Sequence, residues 1–230
     1  MKLATPLTRK TLRDHLVYHG WQYLLILALS FPLWNLIYQQ TAYRPPESAR
    51  IDVYIQSSSA EQDKVNAFLK PIWDAAVPEQ ELVSAVLMLS PGGSEDYYSS
   101  MQLVTYIGAA QGDIYMLTLP DFKRLAAQGA FVALDQYVMD GLIDATGIQL
   151  DAGRVTIMEM NEQGESVPAS EPRLYGIPAK DLYRFASELA IDNRDMVLAV
   201  AVNSGNEESS LTFLNALIRE TLGPKPDFFK

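Results

Sequence analysis

The chain has 230 residues, of which 48% are apolar and 20% charged. That is enough for one sizeable globular core, or for one core plus a membrane anchor. There is no cysteine, which excludes a disulfide framework, thiol chemistry, a cysteine-based zinc cluster and a lipid-modified N-terminal cysteine. Residues 39–230 hold 14 basic and 27 acidic side chains, and this disfavours duplex nucleic acid as a partner because phosphate contacts need clustered Lys and Arg.

An apolar stretch near the N-terminus, residues 16–38, predicts a transmembrane anchor. No Asp, Glu, Lys or Arg lies between Asp14 and Arg44, and a helix of this length would cross a hydrocarbon layer of ~30 Å. Aromatic residues that favour the membrane interface lie toward both ends of the stretch: Trp21, Tyr23, Trp34 and Tyr38. Because Lys2, Arg9, Lys10 and Arg13 precede the stretch, we expect residues 1–15 in the cytoplasm and the C-terminal domain outside the cell.

Two other interpretations of this stretch stay open. Its uninterrupted apolar core, residues 24–29, is short and is followed by Pro32, as in a cleaved signal peptide, although residues 40–42 make a poor cleavage site. Alternatively, the helix inserts beside a membrane partner, because His19, Gln22 and Asn35 are costly when they face lipid alone. All three interpretations place the following domain outside the cytoplasm.

Residues 39–50, which include Pro45-Pro46, predict a short stiff linker, and residues 51–230 predict one extracytoplasmic domain. Strand and helix patterns alternate in its first half. Strands are predicted at residues 51–55, 82–89 and 114–119, and helices at 60–76, 94–112 and 120–129. This order predicts a parallel sheet with right-handed crossovers. The continuous apolar run at 114–119 is typical of a strand covered on both faces.

Two details of these helices are expectations about side chains. Ser59 is a plausible N-cap for the first helix of the domain. The helix that ends on Gly112 has an apolar face, which we expect to be buried, formed by Met101, Val104, Ile107 and Gly108.

In the second half of the domain the pattern changes. After a short helix at residues 136–142, residues 154–160 and 173–177 predict a hairpin. A helix at 180–189 follows, and residues 197–217 predict a strand and a helix.

Three segments resemble the first lobe of bacterial extracellular solute-binding proteins, the sugar-type receptors of ABC importers. The first is the helix and return at Leu125, Ala126, Gly129, Phe131, Leu134 and Asp135; the second is Leu174-Tyr175-Gly176-Ile177-Pro178; the third is the strand from Leu198 to Ser204 with Glu207, Glu208, Leu211, Phe213, Leu214 and Leu217. The resemblance implies an α/β fold: a single periplasmic-binding-protein-like lobe, with a mixed, mostly parallel sheet flanked by helices, preceded by one transmembrane helix.

The second lobe of that family has no room in this stretch of the chain. In the family, the segment that matches residues 174–178 leads into the second lobe, and the segment that matches residues 197–217 returns from it. Only 17 residues lie between Pro178 and Met196, whereas a second α/β lobe needs on the order of 100. We therefore expect one lobe only.

Candidate binding residues lie where ligands bind open α/β sheets, beyond the carboxyl ends of the strands. They are Ser57, Ser58 and Ser59; Ser90-Pro91-Gly92-Gly93-Ser94; and Thr118, Leu119, Pro120 and Asp121. Hydroxyls, glycine N–H groups and a helix N-terminus would together hold a polar or anionic group. The same residues also serve as ordinary turns and caps. Tyr97 and Tyr98 are adjacent on a helix, so they cannot both be core residues and one of them is expected to be exposed. Core packing or surface amphipathy is the favoured interpretation of these tyrosines, and stacking on a ligand such as a sugar ring is the alternative.

No catalytic residue, cofactor or metal site is predicted. Both histidines lie in or beside the anchor, so a Ser-His-Asp site in the domain would have no base. Residues 91–93 lack the Gly-Lys-Ser/Thr end of a phosphate-binding loop. We expect a membrane-anchored, non-catalytic interaction or accessory module of a membrane transport or signalling system. The alternative is a genuine solute receptor of an ABC importer that binds a small sugar or peptide.

Overall fold

A computed structural model describes residues 9–41, 43, 45–88, 97–160, 166–169, 171–202 and 204–223. The chain divides into two compact units, Met1–Arg44 and Pro45–Lys230. The predicted linker, residues 39–50, includes the end of the first helix and the start of the first strand.

The first unit is one long helix, α1 (Arg9–Thr41), with Pro32 inside it. Among the residues that the structure describes, α1 is the one helix long and apolar enough to cross a membrane, over Val17–Thr41, and none of that stretch is buried. Its position near the N-terminus and its composition suit a membrane anchor and a secretory signal sequence alike.

The second unit alternates strands and helices. In chain order they are β1 (Arg50–Gln56), α2 (Gln62–Ala76), β2 (Leu82–Met88), α3 (Tyr97–Gly108), β3 (Ile114–Thr118), α4 (Leu119–Ala126), α5 (Asp135–Met139), β4 (Arg154–Val155), β5 (Met158–Met160), β6 (Ser166–Pro168), β7 (Arg173–Leu174), β8 (Ile177–Pro178), α6 (Arg184–Leu189), β9 (Met196–Val200) and α7 (Glu207–Thr221). Short 3-10 helices lie at Glu47–Ala49 and Asp151–Gly153.

A five-stranded mixed sheet in the order β2-β1-β3-β9-β8 forms the centre of this unit. Strand β1 is parallel to both β2 and β3, whereas β9 is antiparallel to its neighbours β3 and β8. The predicted fold class, a mixed sheet flanked by helices after one N-terminal apolar helix, is confirmed.

Helices cover both faces of the sheet, and β3 shows why. Ile114 and Met116 point into a core shared with α2, α6 and α7, while Tyr115 and Leu117 point into a second core shared with α3 and α4. All four side chains are fully buried. A strand buried on both faces reads as a continuous apolar run, so the prediction from that run is confirmed.

The predicted inner face of α3 is only partly correct, because Ile107 packs against the second core but the other three predicted residues are exposed. Met101 and Val104 are 55% and 45% exposed, whereas Leu103 is fully buried. The ring of Tyr106, one turn beyond Leu103, lies 5.1 Å from the ring of Tyr54 on β1. These two contacts set the rotation of α3 on the sheet, and the apolar spacing alone could not decide between the two faces.

The predicted hairpin exists as two nested pairs of short strands. Strand β4 pairs with β7 and β5 pairs with β6, both antiparallel. Asp135 fixes the base of this region, because its Oδ1 lies 3.1 Å from an Arg154 guanidinium nitrogen and its Oδ2 accepts the Leu174 N–H at 2.9 Å.

Strands β8 and β9 are neighbours in the sheet and are joined by residues 179–195. That connection contains one six-residue helix, α6. The expectation that no second lobe lies between these strands therefore agrees with the described structure.

Candidate functional site

The candidate site lies where the parallel strands β1 and β3 end side by side. Gln56 is the last residue of β1 and Thr118 the last residue of β3. The next helix, α4, begins at Leu119, with Pro120 in its first turn. This brings two of the predicted site residues, Thr118 and Asp121, to the carboxyl edge of the sheet, as the sequence analysis expected.

Gln56 links the ends of these two strands. Its Oε1 accepts the backbone N–H of Thr118 at 2.7 Å, and its Nε2 donates to Oδ2 of Asp121 at 2.9 Å. The side chain is 4% exposed. Gln56 was not predicted from the sequence, and the signal that could have found it is a polar residue directly after the apolar residues 53–55.

Both carboxylate oxygens of Asp121 accept hydrogen bonds from other side chains of the protein. Oδ2 also accepts from Oγ1 of Thr118 at 3.2 Å, and Oδ1 accepts from Arg124 at 2.8 Å. Burial raises the pKa of Asp121, but the hydrogen bonds from Arg124 and Gln56 outweigh burial and hold the pKa below its usual value. The group is therefore an ionised carboxylate that stabilises the start of α4.

The serines after β1 form a turn. The Ser57 hydroxyl accepts the N–H groups of Ser59 and Ala60, at 3.3 and 3.2 Å, and the Ser57 N–H donates to the Met88 carbonyl at the end of β2. Ser59 instead donates its hydroxyl to the carbonyl of Ala190 at 2.7 Å. The predicted N-cap at Ser59 is wrong, because α2 begins at Gln62 after Glu61.

Ser58 is exposed on this turn. The predicted loop residues Ser90, Pro91, Gly92, Gly93 and Ser94 lie outside the described residues, as does the side chain of Tyr97. Their part in the site stays a prediction. Among the described residues, a polar group that bound to Gln56, Thr118 or Asp121 would compete with the hydrogen bonds that these three residues make with one another.

A second polar cluster, which sequence analysis also missed, lies at the opposite edge of the sheet. Asp113 is 5% exposed, and its Oδ2 accepts the N–H of Asp52 at 2.7 Å. Asn206 donates to Oδ1 of Asp113 at 3.4 Å and to the carbonyl oxygens of Glu47 and Arg50. Burial raises the pKa of Asp113 to about 6. This cluster joins the start of β1 to the start of α7.

The cavities of the described structure include two that lie elsewhere. One, of about 630 Å³, lies between α2, α6 and α7 beside Phe68 and Arg184. The other, of about 410 Å³, lies beside Tyr137 and Glu207, whose side chains share a 2.8 Å hydrogen bond. None of the predicted site residues lines either cavity. In the described part of the chain, no group of three or more His, Cys, Asp or Glu residues could hold a metal ion.

No family model matches the chain, and no curated protein matches it. Solved structures of solute-binding proteins are similar to part of it. The extracellular solute-binding protein family 1 protein of Alicyclobacillus acidocaldarius is 14% identical over 59% of this chain and 29% of its own, with a TM-score of 0.38. The ABC substrate-binding protein Lmo0181 of Listeria monocytogenes, solved with cycloalternan, is 18% identical over 60% of this chain and 33% of its own, with a TM-score of 0.35.

A third structure, that of the PBP AttC of Agrobacterium tumefaciens C58 in an open unliganded conformation, is 13% identical and covers 74% of this chain and 79% of its own, with a TM-score of 0.39. The chain matches about a third of the length of the first two proteins. These similar structures come from the family that the sequence resembles. At this level the similarity concerns the fold alone.

Proposed function

We propose that this chain is a membrane-anchored extracytoplasmic module that binds another protein, as a non-catalytic component of a membrane transport or signalling system. The observation that carries the proposal is the mutual pairing of polar side chains in the described part of the carboxyl edge. There, the polar side chains of Gln56, Thr118 and Asp121 are hydrogen-bonded to one another, so they offer little free bonding capacity to a small solute.

The anchor supports this proposal. Helix α1 has an apolar stretch long enough to span a bilayer, and the basic residues before it favour a cytoplasmic N-terminus. A domain held permanently at the membrane meets membrane proteins at a high effective concentration, which favours protein partners even when the intrinsic affinity is modest.

The surface of α3 supplies an apolar contact. Met101 and Val104 are exposed and lie one turn apart, and the exposed Gly108 continues the same stripe. A glycine lets a partner backbone approach closely, and methionine adapts its shape to a partner. Exposed apolar side chains arranged along one helix face favour a protein contact more than a polar ligand.

Site-specific photocrosslinking in intact cells tests the proposal. A benzoylphenylalanine replaces Met101 or Val104 in the full chain, and the matched control places it at Lys70, an exposed position on α2. We expect a discrete crosslinked protein from positions 101 and 104 and none from position 70. Equal crosslinking from all three positions, or none from any of them, would overturn the proposal.

The second candidate function is a solute receptor for a small sugar or peptide. It is favoured by the position of Gln56, Thr118 and Asp121, because open α/β sheets bind ligands beyond the carboxyl ends of their strands. The Listeria protein was solved with a sugar, cycloalternan, which suggests the ligand class to try first.

Thermal unfolding of the full chain in detergent, with mannobiose, larger oligosaccharides and short peptides at millimolar concentration, tests this second function. A ligand present at 100 times its Kd would stabilise the chain by ~2.7 kcal/mol. A stabilised transition that Asp121→Asn removes would favour the receptor over the interaction module. An unchanged transition with every ligand would rule the receptor out for these ligand classes.

A further inference from the structure

The two histidines of the chain lie on one face of α1. His15 and His19 are the only histidines in 230 residues, and they are four residues apart. Residues at this spacing lie one above the other on a helix. Their ring centroids are 4.7 Å apart and the ring planes are inclined by 40°. Both side chains are accessible in the first unit.

This separation suits a shared metal ion. A metal–nitrogen bond to imidazole is ~2.0–2.1 Å, so each ring centroid would lie roughly 3.2 Å from a bound ion. When the nitrogen–metal–nitrogen angle lies between roughly 90°, as in square coordination, and roughly 109°, as in tetrahedral coordination, the two ring centroids lie roughly 4.5–5.2 Å apart. The observed separation of 4.7 Å lies within that range.

Neighbouring side chains orient both rings. The Nδ1–H of His19 donates to Oε1 of Gln22 at 3.0 Å, which leaves the lone pair on Nε2. The Tyr23 hydroxyl lies 2.6 Å from Nε2 of His15. When that Nε2–H donates to the phenol oxygen, the lone pair of His15 is on Nδ1. Hydrogen bonds of this kind hold the rings of metal-binding histidines in place. The bond to Gln22 also fixes the tautomer of His19, whereas the Tyr23 hydroxyl can bond to either tautomer of His15.

We propose that His15 and His19 form a two-histidine site for a divalent transition-metal ion, with solvent or a partner's groups completing the coordination. Imidazole suits Cu²⁺, Zn²⁺ and Ni²⁺. The site has two protein ligands. It is therefore smaller than the groups of three or more His, Cys, Asp or Glu residues, of which the described part of the chain has none. It lies at the N-terminal end of the apolar stretch of α1 and does not depend on the proposed function.

Titration of the full chain in lipid nanodiscs with Cu²⁺, in the presence of a weak competing chelator, tests the site. The chain carries a purification tag without histidine, so that the two native imidazoles are its only ones. We expect one Cu²⁺ per chain, with an electron paramagnetic resonance spectrum that shows coupling to two nitrogens. His15→Gln and His19→Gln should each weaken binding by roughly 10- to 100-fold.

A composition-matched variant exchanges Val17 and His19, which keeps both histidines but separates them by about 200° around the helix. We expect it to bind Cu²⁺ as weakly as His19→Gln does, with unchanged helix content by circular dichroism. Wild-type affinity in the exchanged variant, or a spectrum with oxygen ligands only in the native chain, would overturn the proposal.

Discussion

The Gln56 side chain donates to Oδ2 of Asp121 across 2.9 Å and thereby ties the last residue of β1 to the first turn of α4. The two residues are 65 positions apart in the chain. The same amide accepts the Thr118 N–H at the end of β3, so one buried side chain connects two strands and a helix.

Replacing this amide should destabilise the domain. In Gln56→Ala, the partly buried Thr118 N–H and the Asp121 carboxylate each lose a partner, and we expect a loss of about 2–3 kcal/mol in the free energy of unfolding. Urea unfolding of the full chain in detergent, followed by circular dichroism, measures it. The matched control is Gln136→Ala, which removes a comparable 2.8 Å bond to Asp140 on the exposed surface of α5. The control should cost less than about 0.5 kcal/mol, and equal losses in both variants would contradict the assignment.

Asp113 should give the stability a pH dependence of unusual sign. Its pKa in the folded chain is raised to about 6 from an ordinary value of 3.8, because burial penalises the charged form. The folded chain therefore holds this proton more tightly than the unfolded chain does. The contribution of Asp113 to stability is fully present below about pH 4 and is lost as the pH rises through 6.

The variant Asp113→Asn isolates this effect from the other carboxylates. Between pH 4 and pH 7 the wild-type chain should lose up to ~3 kcal/mol of stability relative to the variant. Unfolding free energies of both chains, measured across that pH range, test the prediction. Parallel pH profiles would show that Asp113 titrates normally in the folded chain.

Strand β2 lies at one edge of the sheet, and α2 covers part of that edge. Asn66 Oδ1 accepts the N–H of Ala85 at 2.8 Å, and Gln62 Nε2 donates to the Ala85 carbonyl oxygen at 2.8 Å. In Asn66→Ala the N–H of Ala85 loses its partner, at a cost of about 1–3 kcal/mol. The freed edge should also promote self-association, because unpaired strand edges pair with other chains.

Sedimentation velocity and urea unfolding measure the two effects. The matched control is Asn215→Ala, since Asn215 Oδ1 accepts the N–H of Asp144 at 2.9 Å in an exposed loop, away from any strand edge. We expect this control to stay monomeric. Self-association of both variants to the same extent would show that the cap on Ala85 does not protect the edge.

Both the backbone conformation at position 112 and the side chains around it require a glycine there. Its φ is +85°, and a Cβ at this position would overlap with Cδ2 of Tyr54. The Tyr54 ring is stacked on Tyr115, with centroids 5.2 Å apart, so it cannot move freely. Gly112→Ala therefore combines left-handed strain with a steric clash in the core.

Gly129 provides the control for that substitution. Its φ is +78°, but no atom lies within 4 Å of an added Cβ. We expect Gly129→Ala to cost about 1 kcal/mol from backbone strain alone, and Gly112→Ala to cost about 1–3 kcal/mol more. Thermal unfolding of the two variants checks the difference. Equal costs would mean that the Tyr54 ring yields to the added methyl group.

Much of the fold follows from local sequence pattern. The patterns that predict β1, β2, β3 and β9 correspond to strands in the structure. For β3 and β9 the reason is that burial of a strand on both faces leaves a continuous apolar run in the chain. The rotation of α3 could not be predicted this way. It depends on the contact between Tyr106 and Tyr54, residues on different elements, and Met101 and Val104 look equally suitable for a core when read alone.

The sequence predicted where in the fold the candidate site lies, but not which side chains bond to one another there. Thr118 and Asp121 were expected at the carboxyl edge because strand ends are visible in the sequence. Gln56, Asp113 and Asn206 were missed because their partners lie far along the chain.

By itself, the sequence determined the apolar N-terminal helix, the order of strands and helices, and the lack of room for a second lobe between Pro178 and Met196. These features follow from the spacing of apolar residues along the chain and from the number of residues between two segments, and both can be taken directly from the sequence. Only the tertiary structure decided that Gln56 bonds to Thr118 and Asp121 and that Asp113 is buried with Asn206, 93 residues away. Hydrogen bonds between distant residues form only after the sheet has brought its strands together, so no local pattern in the chain records them.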